Sequence, residues 1–393
     1  MADDRWAVSV SDVDDFDDQA NEVVQLSPGR GIAGILASIR NFNKNLALLT
    51  QSTRMLGKLA MNPENQVKVA ENGGIELIIR AMQEHMSDAD LQQSGCDLLR
   101  ILAVNDDNEV RIAKTGGILV VLQSMTQHMS DAKVQAYGCG ALQNLSSNSD
   151  NKQMLVELDG IPISLASMQQ HKSNVKVQQF GLGTLQNLAT SQSNKVAISQ
   201  AGGIQIVLQA MRDHISSNRA QEYGCGTLQN LASNRNNKVK ISQAGGIVAV
   251  LRAMSTHETD ARVQESGCGA LQNLANLPDN KVQIAKANGI ALILGSMQRH
   301  ESNAKVQQSA LGALQNLAIN PENKVLIAEQ GGIQAVLEAM RGHKGNTKVQ
   351  QFGCGTLQNL AVLAENEVKI QQHGGLPVIM EFMKNCGIAG AAA

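Results

Sequence analysis

The residues of this chain best suited to specific binding are asparagines that recur every 43 residues, each ending the phrase Leu-Gln-Asn. A carboxamide both donates and accepts hydrogen bonds, so a row of them suits an extended peptide, which offers amide and carbonyl groups at regular intervals. The alternative is a structural role, in which each asparagine caps its helix or bonds to the loop of the next unit. The row consists of Asn144, Asn187, Asn230, Asn273, Asn316 and Asn359.

Two further columns share the asparagine stripe if the segment is helical, because positions 7 and 11 residues earlier then lie on the same face. The column 7 residues earlier contains Tyr137, Phe180, Tyr223, Ser266, Ser309 and Phe352. The column 11 residues earlier contains Lys133, Lys176, Arg219, Arg262, Lys305 and Lys348, preceded by Asp90. If this stripe faces a groove, its basic and aromatic side chains predict an extended or acidic peptide ligand with apolar anchors. The alternative is that the basic column is a solvated face.

Two features of the sequence restrict where the predicted binding surface can extend and what its third helices can contact. Lys58 and Ile101 stand where asparagine is expected, so the asparagine row should not reach the first units. Glycine stands four residues before each asparagine, although glycine inside a helix costs about 1 kcal/mol relative to alanine. We expect close approach of a neighbouring helix as the reason. These glycines are Gly140, Gly183, Gly226, Gly269, Gly312 and Gly355.

The 43-residue period predicts a stacked repeat of three helices. In one unit the helices are expected at 237–243, 247–256 and 262–275, with a Gly245-Gly246 turn after the first. N-cap residues precede the third helix in every unit. They are Asp88, Asp131, Asn174, Ser217, Asp260, Asn303 and Asn346. The stripe predicted to be buried in one third helix comprises Val134, Gly138, Ala141, Leu142 and Leu145.

Three helices in 43 residues, the Gly-Gly turn and a third helix ending in Ala-Leu-x-Asn-Leu resemble the armadillo repeat. The resemblance implies an all-α, right-handed superhelical solenoid with three helices per repeat. It places seven repeats at 62–362, a degenerate capping repeat at 23–61 and a partial one at 363–386. An acidic arm at 1–22 and a tail at 387–393 flank them. The phrase Ala-Met-x-x-His is similar to armadillo arrays of unicellular eukaryotes and of leucine-rich-repeat kinases.

The family resemblance implies a non-enzymatic adaptor without cofactors, whose third helices form a groove in which the asparagines hold the backbone of an extended peptide. Armadillo nuclear-import receptors have tryptophan where this chain has the glycine column, which disfavours recognition of basic localisation signals. A nuclear transport adaptor and a structural part of a cytoskeletal or ciliary assembly remain the alternatives. The motifs typical of phosphate-binding loops, zinc proteases and nucleophile elbows do not occur in the sequence.

Histidines and cysteines also follow the period. The histidine column runs from His85 to His343, and residues in adjacent units are too far apart, at about 10 Å, to share a zinc ion. We expect these histidines to bond carbonyls at the last turn of the second helix. Cys96, Cys139, Cys225, Cys268 and Cys354 are expected to be core residues, reduced and not paired.

Charge divides the chain unevenly. The whole chain carries −2, residues 1–22 carry −7, and the remainder therefore carries +5. An acidic arm that includes Trp6 and Phe16 can compete with partners by docking in the basic groove; the alternative is a solubilising arm. The modest positive charge ranks nucleic-acid binding last. No stretch of 18 apolar residues is present, which predicts a cytoplasmic protein, with cytoskeletal or nuclear location as alternatives.

Overall fold

The structure is a computed structural model of the 393-residue chain that describes residues 31–41 and 44–385. Packing divides the chain into two compact units, Met1–Ala201 and Gly202–Ala393. The described residues form 25 α-helices and contain no strand. The acidic arm, the tail and Cys386 lie outside the described residues.

Unit one contains two initial helices, α1 and α2, followed by groups of three. Its helices are α1 (Ile32–Asn41), α2 (Leu46–Ala60), α3 (Pro63–Glu71), α4 (Gly74–Glu84), α5 (Ala89–Leu102), α6 (Asp106–Lys114), α7 (Gly117–Gln127), α8 (Ala132–Leu145), α9 (Ser149–Glu157), α10 (Gly160–Gln170), α11 (Val175–Leu188) and α12 (Gln192–Gln200). In this unit α2, α5, α8 and α11 pack against one another in succession.

Unit two continues the same order. Its helices are α13 (Gly203–Asp213), α14 (Asn218–Leu231), α15 (Arg235–Gln243), α16 (Gly246–Thr256), α17 (Ala261–Leu274), α18 (Pro278–Lys286), α19 (Gly289–Arg299), α20 (Ala304–Leu317), α21 (Pro321–Glu329), α22 (Gly332–Gly342), α23 (Thr347–Leu360), α24 (Ala364–Gln372) and α25 (Gly375–Asn385). Here α14, α17, α20 and α23 form the succession of third helices. The three helices expected in the unit of Gly245 are confirmed, with bounds shifted by one or two residues.

Side-chain caps start the third helices as predicted. Asp131 accepts hydrogen bonds from the amides of Lys133 and Val134 at 2.9 and 3.0 Å. Asp260 does the same for Arg262 and Val263 in unit two. These bonds satisfy amides that the first turn of a helix leaves without partners. All seven predicted N-caps are confirmed.

The turn between first and second helices requires a left-handed residue followed by a glycine. Gly116 has a φ of 86°, a conformation that glycine adopts without a steric penalty. Asp159 and Asn288 take this position in two repeats, and their short polar side chains tolerate it. The second glycine is needed for space, because a Cβ on Gly117 would lie 2.7 Å from the carbonyl oxygen of Ile112.

The core of each repeat forms where the second helix meets the third. In six repeats a methionine of the second helix packs on a glycine of the third helix that lies two residues before the position of the glycine column; a Cβ on Gly138, for example, would lie 2.5 Å from Cγ of Met125. Met125 is fully buried. The predicted buried stripe of α8, which includes Val134, Leu142 and Leu145, is confirmed.

A buried glutamine in each third helix, which sequence analysis did not single out, ties the second and third helices together. In α17, Gln264 donates through Nε2 to the carbonyls of Met254 and His257 at 2.8 and 2.9 Å. Both carbonyls belong to the end of α16, where a helix leaves acceptors without partners. The same pair of bonds occurs in all seven repeats, from Gln92, Gln135, Gln178, Gln221, Gln264, Gln307 and Gln350.

The histidine column bonds to backbone carbonyls of the preceding repeat. The expectation that it bonds to carbonyls in the last turn of its own helix is therefore wrong. Nε2 of His257 lies 2.7 Å from the carbonyl oxygen of Ile215, and Nε2 of His128 lies 2.8 Å from that of Met86. A carbonyl only accepts, so Nε2 carries the proton. Each such histidine therefore links successive repeats.

Four of the five cysteines in the described part are fully buried, as expected, whereas Cys354 is half-buried. None of the five is in a disulfide. Burial raises the pKa of the Cys96 and Cys268 thiols to about 12. A thiol in this environment stays protonated and unreactive at neutral pH.

The substitution Q264M is expected to destabilise the chain by about 2 kcal/mol, because it leaves two buried carbonyls without a donor while keeping the side-chain volume. Urea unfolding followed by circular dichroism measures the change. Q334M on the exposed surface of α22 is the matched control and should change stability by less than about 0.5 kcal/mol. Equal effects of the two substitutions would contradict the proposed role of Gln264.

Candidate functional site

The candidate site is the surface of the third helices that carries the basic, aromatic and asparagine columns, here called the third-helix face. In unit one it lies on α8 and α11, and in unit two on α14, α17, α20 and α23. The three columns lie at helical spacing on each helix, as the sequence predicted.

The asparagines use their amide nitrogens within the protein. Nδ2 of Asn273 donates to the backbone carbonyl of Gln229 at 2.8 Å, and Nδ2 of Asn316 donates to that of Gln272 at 2.8 Å. The same bond joins Asn144 to Arg100 in unit one, at 2.9 Å. In each pair the acceptor lies 44 residues earlier, in the preceding third helix. One N–H of the carboxamide therefore has a structural role.

The carboxamide oxygens differ in accessibility. Asn144 is 3% exposed, and its Oδ1 is buried without a hydrogen-bond partner in the described part of the chain. The other five asparagines of the row are half-buried. Their participation in ligand binding stays a prediction, and the structure leaves Oδ1 as the atom best placed for it.

Four glycines of the column, Gly183, Gly269, Gly312 and Gly355, accommodate a glutamine from the preceding repeat, and Gly140 accommodates Arg100. A Cβ on Gly269 would lie 2.5 Å from Cδ of Gln229, and a Cβ on Gly312 would lie 2.5 Å from Cδ of Gln272. The neighbour predicted to approach closely is thus a side chain, not a helix backbone. At the position where armadillo nuclear-import receptors have tryptophan, this chain presents a carboxamide lying on a glycine.

These glutamines are accessible in unit two and buried in unit one. Gln143 is 1% exposed, and both polar atoms of its carboxamide are buried without a partner in the described residues. Gln229, Gln272 and Gln315 are half-buried, and Gln358 is exposed. The carboxamides of unit two can therefore reach solvent and a ligand.

The aromatic column is less exposed than the sequence suggested. Phe180 and Tyr223 are 6% and 3% exposed, whereas Tyr137 and Phe352 are half-buried. In unit one the guanidinium of Arg100, itself 4% exposed, lies 6.0 Å from the ring centroids of both Tyr137 and Phe180. This distance permits a cation–π interaction.

Ion pairs occupy the glycine, glutamine and basic positions of the first units. Nη2 of Arg100 lies 2.7 Å from Oδ1 of Asp97, which occupies the glycine position of its repeat. Arg54 of α2 donates through Nε to the hydroxyl of Ser94 and pairs with Asp90 at 3.3 Å. None of these contacts involves Lys58 or Ile101, so the end of the asparagine row before the first units stays a prediction.

The basic column is exposed at Lys133, Arg262, Lys305 and Lys348 and half-buried at Lys176 and Arg219. Arg219 donates to the hydroxyl of Tyr223 at 3.4 Å. The sequence analysis did not single out Glu222, an acidic residue close to the basic column. Its side chain is 4% exposed, and its Oε1 lies 3.8 Å from Nη1 of Arg262.

Burial raises the pKa of Glu222 to about 7, while the neighbouring Arg262 and Arg219 oppose the shift and Asp260 and Glu265 add to it. Its Oε1 has no hydrogen-bond partner in the described part of the chain. The charge of the face in unit two therefore depends on pH near neutrality, because Glu222 is then partly protonated.

The described residues contain no group of three or more His, Cys, Asp or Glu side chains arranged to hold a metal ion. Among the same residues, no helix has both the length and the apolar character needed to cross a membrane.

Stacked three-helix repeats with this geometry define an armadillo-type solenoid. The GAC ARM domain model matches residues 33–288, and the LRRK2 ARM repeat model matches residues 242–370. The chain belongs to the GAC ARM domain family of armadillo-repeat proteins. The fold class expected from the sequence, an all-α armadillo solenoid, is confirmed. No curated protein matches the chain.

Solved structures show the same fold. An engineered protein from the Northeast Structural Genomics Consortium is 22% identical with a TM-score of 0.75, covering 91% of this chain and 87% of its own. A chain from work on the phosphorylation switch that controls the interaction between cadherin and beta-catenin is 18% identical with a TM-score of 0.71, covering 88% of this chain and 64% of its own. At these identities the likeness concerns the fold alone.

The substitution E222Q is expected to change how stability depends on pH. The folded pKa of about 7 exceeds the ordinary value of 4.5, so the unaltered chain loses stability as pH rises between these values. The loss amounts to at most about 3 kcal/mol. E222Q should therefore be the more stable form at about pH 8, and the difference should vanish near pH 4.5.

Thermal unfolding of both forms across this pH range makes the measurement. E265Q is the matched control, because Glu265 has the equivalent position in the next repeat and is half-buried. A constant difference between E222Q and the unaltered chain at all pH values would contradict the raised pKa.

Proposed function

We propose that this protein is a non-enzymatic interaction scaffold whose third-helix face binds extended, acidic segments of partner proteins. The observation that carries the proposal is the combination, on one face of unit two, of half-buried carboxamides with exposed cationic side chains. The carboxamides suit the backbone of a ligand, and the cations suit its acidic side chains.

The charges of unit two favour an acidic ligand even with Glu222 present. Arg262 is 60% exposed, and Lys305 and Lys348 are exposed. Exposed cations contribute little individually to affinity, but they accelerate association with an oppositely charged segment and make it sensitive to salt. The proposed ligand class follows from this distribution.

The structural neighbours support a scaffold. The work on cadherin and beta-catenin concerns an interaction between two proteins, and a chain from it shares this fold. By the same analogy we propose that the chain works through protein partners without a cofactor. No observation on the third-helix face favours a nuclear transport adaptor, because glutamine carboxamides cover the glycine column in place of tryptophan.

The acidic arm has the composition expected of such a ligand. Residues 1–22 carry a net charge of −7 with Trp6, Val8 and Val10 at alternate positions, which an extended chain places on one side. We propose that this segment competes with partners for the basic face. In such competition the apparent affinity for partners is the intrinsic affinity multiplied by the fraction of molecules in which the face is not occupied by the arm.

The double substitution K305E/K348E is expected to weaken binding of an acidic probe by about tenfold at low salt, because it reverses two exposed charges on the face. The probe is a fluorescein-labelled nonapeptide of alternating aspartate and valine, and fluorescence anisotropy measures its affinity. K240E/K286E makes the same charge change on the exposed surfaces of α15 and α18 and should have little effect.

Equal weakening by both double substitutions would show binding by overall charge and contradict a role of this face. Absence of probe binding to the unaltered chain would contradict the proposed ligand class.

Docking of the acidic arm predicts a signal from Trp6, the only tryptophan in the chain. Its emission should be blue-shifted and protected from acrylamide in the intact protein at low salt. K305E/K348E and high salt should both remove this protection, because each weakens the charge attraction. Trp6 that is fully quenched under all conditions would contradict docking of the arm.

A further inference from the structure

The glutamine that precedes each asparagine has hydrogen-bonding groups that the fold of unit two does not use. The side chains of Gln229, Gln272 and Gln315 make no hydrogen bond within the described part of the chain, yet each lies in a defined place on a glycine of the next repeat. The asparagine that donates to the backbone of the same glutamine lies beside it. Glutamine and asparagine thus form a pair in each of three successive repeats.

The two members of a pair offer different groups. The amide nitrogen of Asn273 donates to the carbonyl of Gln229, which leaves Oδ1 of the asparagine as an acceptor. An extended ligand presents carbonyls as well as N–H groups, and its carbonyls require donors. Nε2 of the glutamine carries two N–H groups and has no acceptor in the described residues, so it supplies that donor.

We propose that Gln229, Gln272 and Gln315 are ligand-binding residues that donate to backbone carbonyls of the bound segment, beside the asparagine row that the family resemblance already assigns to the ligand backbone. The proposal rests on the proposed function and deepens it. It places the hydrogen bonds to the ligand backbone in unit two and divides them between glutamine and asparagine side chains.

The glycine column fixes the position of the donors. A Cβ on Gly312 would lie 2.5 Å from both Cδ and Nε2 of Gln272, and a Cβ on Gly355 would lie 2.8 Å from Cδ of Gln315. Any residue larger than glycine would displace the carboxamide. Glycine is kept inside a helix at a cost of about 1 kcal/mol, which is consistent with a need for this placement.

Unit one shows the same arrangement where solvent is excluded. Gln143 lies against Gly183, and both of its polar atoms are buried without a partner in the described residues. Burial of an unsatisfied carboxamide is unfavourable, so the placement is not selected by an internal hydrogen bond. Gln229, Gln272 and Gln315 have the same place on a glycine in unit two but are half-buried, so their carboxamides are accessible to a ligand there.

Two sets of substitutions in the full chain test the proposal with the aspartate-valine probe. Q272M/Q315M keeps the side-chain volume and removes the donors, and G269A/G312A keeps the donors and displaces them. Each is expected to weaken probe binding by about tenfold, which corresponds to two lost hydrogen bonds of ordinary strength. Circular dichroism and thermal unfolding confirm that the variants are folded.

G295A is the matched control for the glycine substitutions, because Gly295 lies inside α19 with nothing within 4 Å of an added Cβ. It should leave probe binding unchanged. A second probe, with the same sequence but ester linkages at alternate positions, has weaker carbonyl acceptors and fewer N–H donors. This probe should bind the unaltered chain more weakly but lose less on Q272M/Q315M.

The outcomes separate the inference from the proposed function. Probe binding that is lost on K305E/K348E but unchanged in Q272M/Q315M and G269A/G312A would overturn the role of the glutamines and leave the scaffold function intact. Equal losses with both probes would show that the glutamines contact side chains and not the backbone, and would also overturn the inference. No binding of either probe would refute the acidic ligand class and the inference together.

Discussion

The close approach of successive third helices is the constraint on which the rest of this structure depends. The approach is close enough for Nδ2 of Asn316 to reach the backbone carbonyl of Gln272 at 2.8 Å in the preceding third helix. Glycine at Gly312 leaves room for the glutamine side chain between the two helices. Because each repeat has few contacts beyond its neighbours, the stability of a solenoid is close to a sum of such interfaces. The asparagine and glycine columns are thus needed for packing between successive third helices, whether or not they also contact a ligand.

The same contacts determine which chemical groups remain for a ligand. The asparagine gives one N–H to the preceding helix, the glutamine of the second-to-third helix contact gives its amide to two carbonyls, and the histidine gives Nε2 to the preceding loop. In unit two the asparagine, the second glutamine of each third helix and the basic residues are half-buried or exposed, so a ligand can reach them. Glu222 modifies this surface, because its buried carboxyl changes charge near neutral pH beside Arg262.

Much of the candidate site followed from the sequence, and the departures have physical reasons. The columns, the caps and the helix order were predictable, because the spacing of 43 residues places equivalent residues at equivalent positions. The exposure of the aromatic column was not, since burial depends on contacts such as that of Phe180 with Arg100, which lies 80 residues earlier in the sequence. The acceptor of the His257 bond was assigned to the wrong repeat for the same reason: the nearest carbonyl in space, that of Ile215, is 42 residues away in sequence.

The sequence by itself determined the repeat, its three helices and the surface on which polar and basic residues collect, because helical periodicity and capping act over a few residues and recur in every unit. Only the tertiary structure decided which members of that surface are accessible. Gln143 and Gln272 have the same local sequence, yet one is buried and the other reaches solvent. Because their local sequences are alike, their difference comes from the neighbouring repeats, which differ in composition: Arg100 lies near the rings of Tyr137 and Phe180 in unit one. Burial depends on contacts between residues 40 or more positions apart, and such contacts form only when the helices pack.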